Sequence, residues 1–214
     1  MWRASNITHP AVEKYLYGLV PQSDPVLHEM ERYAARHDVP IVGPTVGRLL
    51  CLLAQISGAK RIFELGSAIG YSTLWFAVGA GSGAEVHYAD GSAGNAARAQ
   101  DYFRRAGLAD RIRIHIGMAQ EKLAETIGEF DIIFIDVNKE QYPETLRLAV
   151  PRVRTGGLLL ADNTLWSGRA AHKAEPRDAR TRGIQQFNRA VYASKELFPV
   201  MVPIRDGVTI CRKL

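Results

Sequence analysis

The chain has 214 residues, 47% of them hydrophobic, which is enough for one globular domain with a sizeable buried core. Its apolar runs are short and interrupted by charges, so no segment reads as a membrane span. The net charge of +5 raises nucleic acid as a partner, but the basic residues are scattered (Arg104-Arg105, Arg152, Arg154), and neither a recognition helix nor an RNA-binding aromatic signature accompanies them. Met1 to Asn6 lacks the apolar stretch of a secretory signal. Cys51 and Cys211, the two cysteines, have no CxxC or histidine neighbours, which excludes a disulfide scaffold or zinc site and predicts a cytoplasmic protein. The one basic concentration, His172 to Arg182, also holds Glu175 and Asp178 and reads as a solvated loop, or as a lid that attracts an anionic substrate.

No repeat, low-complexity tract or linker divides the sequence, so it reads as a single domain over 1–214: a helical extension over 1–40 and a catalytic core over 41–214. Ser23-Asp24-Pro25 marks a helix start with Asp24 as cap, and Val26, Met30, Tyr33 and His37 follow at helical spacing. A second helix carries Val46, Leu49, Leu50, Leu53 and Ile56 and ends near Gly58. Strands over 61–65, 85–89, 111–116, 131–135 and 157–161 then alternate with helices over 71–78, 95–106 and 143–153. Alternation of this kind, with strands apolar on both faces, predicts a doubly wound, mostly parallel sheet between helical layers. The apolar runs 200–204 and 208–211 around Asp206-Gly207 predict a closing antiparallel β-hairpin.

In doubly wound sheets ligands bind beyond the carboxyl ends of the strands, and polar residues collect there in this chain. After the first strand, Gly66 and Gly70 in Glu64-Leu65-Gly66-Ser67-Ala68-Ile69-Gly70-Tyr71-Ser72 allow a tight turn; a plain strand-to-helix turn is an equal reading. Asp90 after the second strand is placed to accept ribose hydroxyls or to cap the next helix, and Gly117-Met118-Ala119-Gln120 after the third could frame an adenine edge. In order, the three point to an adenosine-bearing cofactor. Asp136 ends the fourth strand and Asp162-Asn163 the fifth: two carboxylates and an amide oxygen, hard donors suited to Mg²⁺, provided the chain bends after Asp162. Helix capping is the alternative. Lys139, one turn past Asp136, would be a base if a nearby cation and partial desolvation depress its pKa; otherwise it is a surface lysine.

These residues resemble the cation-dependent O-methyltransferases, the family of the catechol and caffeoyl-coenzyme A O-methyltransferases. The similarity runs from about Val42 to Leu214 and rests on Phe130 to Asp136 with Lys139 and Tyr142, Gly156 to Asn163 with Trp166-Ser167-Gly168, and Asp206-Gly207-Val208-Thr209. The resemblance implies a seven-stranded sheet, S-adenosylmethionine as cofactor and a catechol-like small molecule as substrate. It implies a cofactor site of Glu64, Gly66, Gly70, Tyr71, Ser72, Asp90, Gly117, Ala119, Gln120 and Asp136, and a divalent metal on Asp136, Asp162 and Asn163. It further implies Lys139 as the base, Val42 and Trp166 as pocket walls, and a homodimer. The chain departs from the family pattern at Ser92, at Val137-Asn138 and at Met118. A nicotinamide-dependent oxidoreductase is the rival enzyme, disfavoured by the missing GxGxxG; a non-catalytic cofactor-binding protein is the rival outside enzymes.

Overall fold

The computed structural model describes residues 7–21 and 24–214. Met1 to Asn6 and the helix-start residue Ser23 lie outside the described residues. Three helices come first: α1 (Pro10–Leu19), α2 (Pro25–His37) and α3 (Gly43–Ile56). Asp24 caps α2 as expected, its Oδ1 accepting from the Val26 N–H at 2.8 Å, and His37 is an exposed residue leaning on the Tyr33 ring.

The alternating region then runs β1 (Arg61–Leu65), α4 (Tyr71–Ala80), β2 (Glu85–Asp90), α5 (Ala93–Arg105), β3 (Ile112–Ile116), α6 (Ala119–Glu125), β4 (Phe130–Ile135), α7 (Tyr142–Ala149), β5 (Val153–Ala161), α8 (Ala179–Ala193), β6 (Leu197–Val202) and β7 (Val208–Lys213). The strands form one seven-stranded sheet in the order β3-β2-β1-β4-β5-β7-β6. β1 to β5 pair in parallel, and β7 lies antiparallel between β5 and β6.

The two-residue period of the strands divides the core. Ile62, Val86, Ile132, Phe134 and Leu160 enter one hydrophobic cluster with α2 to α5. Phe63, Leu65, Ile133, Ile135 and Leu159 enter the other, with residues of α6, α7 and α8. The architecture is therefore the doubly wound, mostly parallel sheet that the sequence predicts. Cys51 and Cys211 are free and buried, and among the described residues no helix is long and apolar enough to cross a membrane.

Two elements differ from expectation. The hairpin strands are joined by residues 203–207 instead of a tight dipeptide turn, with Arg205 and Gly207 both at positive φ. The basic segment contains a loop only to Asp178; from Ala179 it is the start of α8, whose Ile184, Phe187 and Val191 are buried in the second cluster.

Candidate functional site

At the carboxyl ends of β1 to β5 the sheet opens into a cleft of about 1000 Å³. One half is built by the loops after β1, β2 and β3. Gly66 (φ 89°) turns the chain where β1 leaves the sheet, and a Cβ there would lie 2.3 Å from the Asp136 carbonyl oxygen, so the crossing of the two strand ends demands glycine. Asp90 organises this loop from the next strand. Its carboxylate accepts from the Ala68 N–H (3.0 Å), the Ser92 N–H (2.9 Å) and the Asn95 amide (3.1 Å). Ser92, not Asp90, caps α5 by accepting from the Asn95 N–H, so the capping alternative for Asp90 falls away. Gly66, Asp90, Gly117, Ala119 and Gln120 all line this half, with Ala68, Asn95 and Met118 beside them. The Gln120 amide donates to the Thr145 hydroxyl at 3.1 Å.

Glu64, Gly70, Tyr71 and Ser72 do not line the cleft. The Glu64 carboxyl is fully buried beneath it, where burial pushes its pKa up to about 7 against hydrogen bonds from the Ser72 and Thr73 hydroxyls. Gly70 is packed against Phe103, and the Tyr71 hydroxyl donates to Glu31 at 2.7 Å. These four residues hold the loop from behind.

The other half carries the acids. Asp136 and Asp162 continue the parallel ladder one residue past their strands, the Asp136 N–H donating to the Leu65 carbonyl (2.9 Å) and the Asp162 N–H to the Ile135 carbonyl (3.2 Å). The bend required after Asp162 is present: Asn163 has φ 56°, which turns it out of strand alternation and into the cleft with Asp162. Neither acid caps a helix. The Lys139 Nζ donates to Asp136 Oδ1 at 2.7 Å, to the Tyr142 hydroxyl at 3.0 Å and to the Val137 carbonyl at 3.3 Å. Tyr142, fully buried, donates its hydroxyl hydrogen bond to the Asp162 carbonyl at 2.8 Å and so ties the ends of β4 and β5 together. Gly183 of α8 clamps this turn; a Cβ there would lie 2.2 Å from the Lys139 carbonyl oxygen.

Asp162 is 1% exposed, and burial raises its pKa above the carboxylate range against the opposing charge of Arg205. Its Oδ2 accepts from Arg205 Nη1 at 3.0 Å, while its buried Oδ1 has no hydrogen-bond partner. The expected depression of Lys139 is not present in this arrangement. Burial favours the neutral amine, but the adjacent Asp136 carboxylate outweighs it and holds the ammonium well above the ordinary lysine range.

Trp166 lines the cleft at φ 50°, and Asp206, which receives the Ser167 N–H, ties this turn to the hairpin. Val42 is buried behind the cleft; Val39, Pro40 and Ile41 form the rim beside it. Sequence reading missed Arg205 and Tyr17. The Tyr17 side chain, on α1, shares a hydrogen bond with Thr45 and feels the charges of Arg205 and Asp162; burial raises its pKa. No motif signals either residue, because both reach the site only through tertiary packing.

The chain is similar to known O-methyltransferases in sequence and in fold. The profile of a family described as O-methyltransferase matches residues 20–214. A catechol O-methyltransferase of Niastella koreensis is 33% identical over 190 residues, 86% of each chain. Caffeoyl-CoA O-methyltransferase 1 of Eucalyptus globulus is 29% identical over 209 residues, 91% of this chain and 84% of the relative. An O-methyltransferase from Bacillus cereus, solved in complex with SAH, superposes with a TM-score of 0.86 at 31% identity, covering 95% of this chain and 97% of the other. TomG from Streptomyces achromogenes, an O-methyltransferase involved in tomaymycin synthesis and solved with SAM, gives 0.86 at 26% identity, covering 95% and 96%.

Proposed function

The chain belongs to the O-methyltransferase family, and from that premise we propose that it moves the sulfonium methyl of S-adenosylmethionine to one of two adjacent hydroxyls of a small aromatic molecule, with a divalent metal such as Mg²⁺. The observation that carries the reading is the meeting of Asp90, Asp136, Lys139, Asp162 and Asn163 in one cleft, with a buried Asp162 oxygen that lacks a partner.

The residues fit both groups. Asp90 and the backbone of Gly66, Ala68 and Gly117 offer acceptors and close approach for the ribose and adenine, with Gln120 beside them. Asp136, Asp162 and Asn163 are hard oxygen donors, and the unpartnered Asp162 Oδ1 is what a cation would satisfy. Bound there, the metal would supply Lewis acidity for two neighbouring substrate oxygens and take up the Asp136 charge that now holds Lys139 as an ammonium. With that charge taken up, the Lys139 ammonium would release its proton to solvent and its neutral Nζ would accept the substrate hydroxyl proton, while Tyr142 keeps that nitrogen in place through the hydroxyl it presents. Trp166 and the rim residues Val39 to Ile41 give the aromatic ring an apolar wall and exclude water.

Transfer of labelled methyl from S-adenosylmethionine to a catechol panel, including caffeate and caffeoyl-coenzyme A, tests the proposal. Product that forms with Mg²⁺ and disappears with EDTA supports it; product unchanged by EDTA removes the metal from it. The same reading carries a cytoplasmic homodimer, supported by the buried free thiols and by the exposed apolar Tyr15, Leu16 and Leu19 on α1. A monomer in sedimentation at micromolar concentration would remove the dimer.

A further inference from the structure

Both carboxylates of the candidate metal set already hold a cation supplied by the protein. Asp136 is paired with Lys139 at 2.7 Å, and Asp162 with Arg205 at 3.0 Å. The lysine belongs to the chemistry; the arginine has no part in the reaction derived above. Its placement is nevertheless built. Arg205 sits at φ 51° in the turn between β6 and β7, a left-handed backbone that an L side chain other than glycine adopts at a cost. The flanking backbone is fixed on both sides. Ile204 N–H donates to Val202 (2.8 Å), Gly207 N–H to Ile204 (2.9 Å), Leu165 N–H to Asp206 (2.9 Å) and Thr164 N–H to Gly207 (3.0 Å). From this anchored turn the side chain, 18% exposed, reaches the neighbouring Asp162, the most buried acid of the site.

We infer that Arg205 is a resident counter-ion of the metal site: its guanidinium neutralises Asp162 when no metal is bound, and a divalent cation that approaches the free Oδ1 competes with it for the charge of the same carboxylate. A carboxylate buried to this degree needs a partner at all times, and a guanidinium is the protein's own. Binding of metal therefore carries the added cost of weakening an ion pair and of bringing a dication close to a guanidinium, and affinity for a divalent cation is low for such a donor set. The inference rests on the metal reading of Asp136, Asp162 and Asn163. It adds that the sensitivity to metal concentration is set by residue 205.

The test is direct binding of MnCl₂ to the purified full-length protein, read from the free Mn²⁺ signal in electron paramagnetic resonance, without acceptor substrate. Three proteins are compared: wild type, Arg205→Gly, which suits the left-handed backbone, and Arg205→Met, which keeps the side-chain stem and the backbone cost but not the charge. Thermal unfolding in EDTA checks that each is folded. The expected result is a Kd for Mn²⁺ at least tenfold lower in both variants, with Mn²⁺ raising their melting temperatures more than that of wild type. Equal Kd values in all three proteins would overturn the inference and leave the metal site standing. Tighter binding by Arg205→Gly alone would also overturn it, since backbone relief rather than charge would then be the cause. No binding by any of them would overturn the inference and the metal reading together.

Discussion

Asp131 and Asp162 stand at opposite ends of adjacent parallel strands, and the fold treats them in opposite ways. At the amino end, Asp131 Oδ2 accepts from the backbone N–H of Lys60 (2.8 Å) and of Arg61 (2.7 Å), and Oδ1 receives Arg154. Burial opposes its charge, but Arg154 and the two N–H groups outweigh that, and its pKa is lowered. At the carboxyl end, Asp162 is buried more deeply, is met by one guanidinium, keeps an oxygen without a partner, and has a raised pKa. The first acid is satisfied and therefore structural. The second is left incomplete by its own protein, and a buried polar group left incomplete is the mark of a site that expects a ligand.

Changes at the two ends should separate activity from stability. The largest effect belongs to the carboxyl end. Lys139→Met should lower kcat by about 10²–10⁴-fold, the range for a lost general base, while S-adenosylmethionine binding stays close to wild type and the three hydrogen bonds lost from the buried ammonium cost about 2–3 kcal/mol of stability. A loss of cofactor binding on the same scale would show that Lys139 shapes the cleft instead. Asp131→Ala should lower stability and spare activity. Losing three charge-assisted hydrogen bonds in a half-buried place should cost about 2–3 kcal/mol, or about 4–12 °C in melting temperature for a chain of this size. Turnover per folded molecule should remain within about twofold of wild type, an estimate from its position outside the cleft.

Gly183→Ala sharpens the comparison from a residue that touches no ligand. The new methyl would meet the Lys139 carbonyl oxygen, so the turn that carries Lys139 must shift. Overpacking should cost about 1–3 kcal/mol, partly offset by the better helix propensity of alanine. Because a 1 Å misplacement can cost as much as ~10²-fold in rate, kcat should fall by about tenfold with little change in cofactor affinity. Unchanged kcat would mean that α8 absorbs the shift and that the position of Lys139 is set by Tyr142 alone.

What the sequence discloses follows the same division. The central parallel strands are legible because they are largely apolar, the edge strand β3 because Ile112, Ile114 and Ile116 alternate with Arg113 and His115, and the acids because polar residues directly after such strands are not needed for packing. α8 was hidden behind the charge of its first turn, although Asp178 before Ala179 and the 3–4 spacing of Ile184, Phe187 and Val191 are helix signals. The long connection before β7 was hidden by Asp206-Gly207, which reads as a tight turn yet serves to bind the Ser167 loop. Glu64, Tyr71 and Ser72 lie in the cofactor-loop motif but face away from the cleft, since a motif fixes the path of a loop and not which side chains face the ligand. Arg205 could not be read at all: its role depends on a distance across 43 positions of chain.

The smallest effect concerns His87, on the β2 side of the same amino-terminal half. His87 packs in a triangle of rings with Phe63 and His115, its Nδ1 lies 2.9 Å from His115 Nε2, and its Nε2 lies 3.0 Å from Glu85 Oε2. One set of protons satisfies this chain: His115 donates to His87, and His87 donates to Glu85, both rings neutral. A second proton on His87 would set two donors face to face unless His115 moved its own proton to Nδ1. Burial accordingly lowers its pKa to about 4, against the attraction of Glu85. In the unfolded chain the ring takes up a proton as pH falls below about 6.5, so between there and pH 4 the unfolded state binds more protons and stability drops as pH falls. Above pH 6.5 both states are neutral and the contribution is complete. The loss at pH 5 should be about 1–2 kcal/mol. His87→Gln retains an acceptor for His115 and a donor for Glu85 but cannot be protonated, so urea unfolding of this variant should be flatter between pH 6.5 and 5 than that of wild type. Parallel curves for the two proteins would assign the acid sensitivity to other groups, and the amino end of the sheet would then owe its stability to Asp131 without a contribution from the histidine pair.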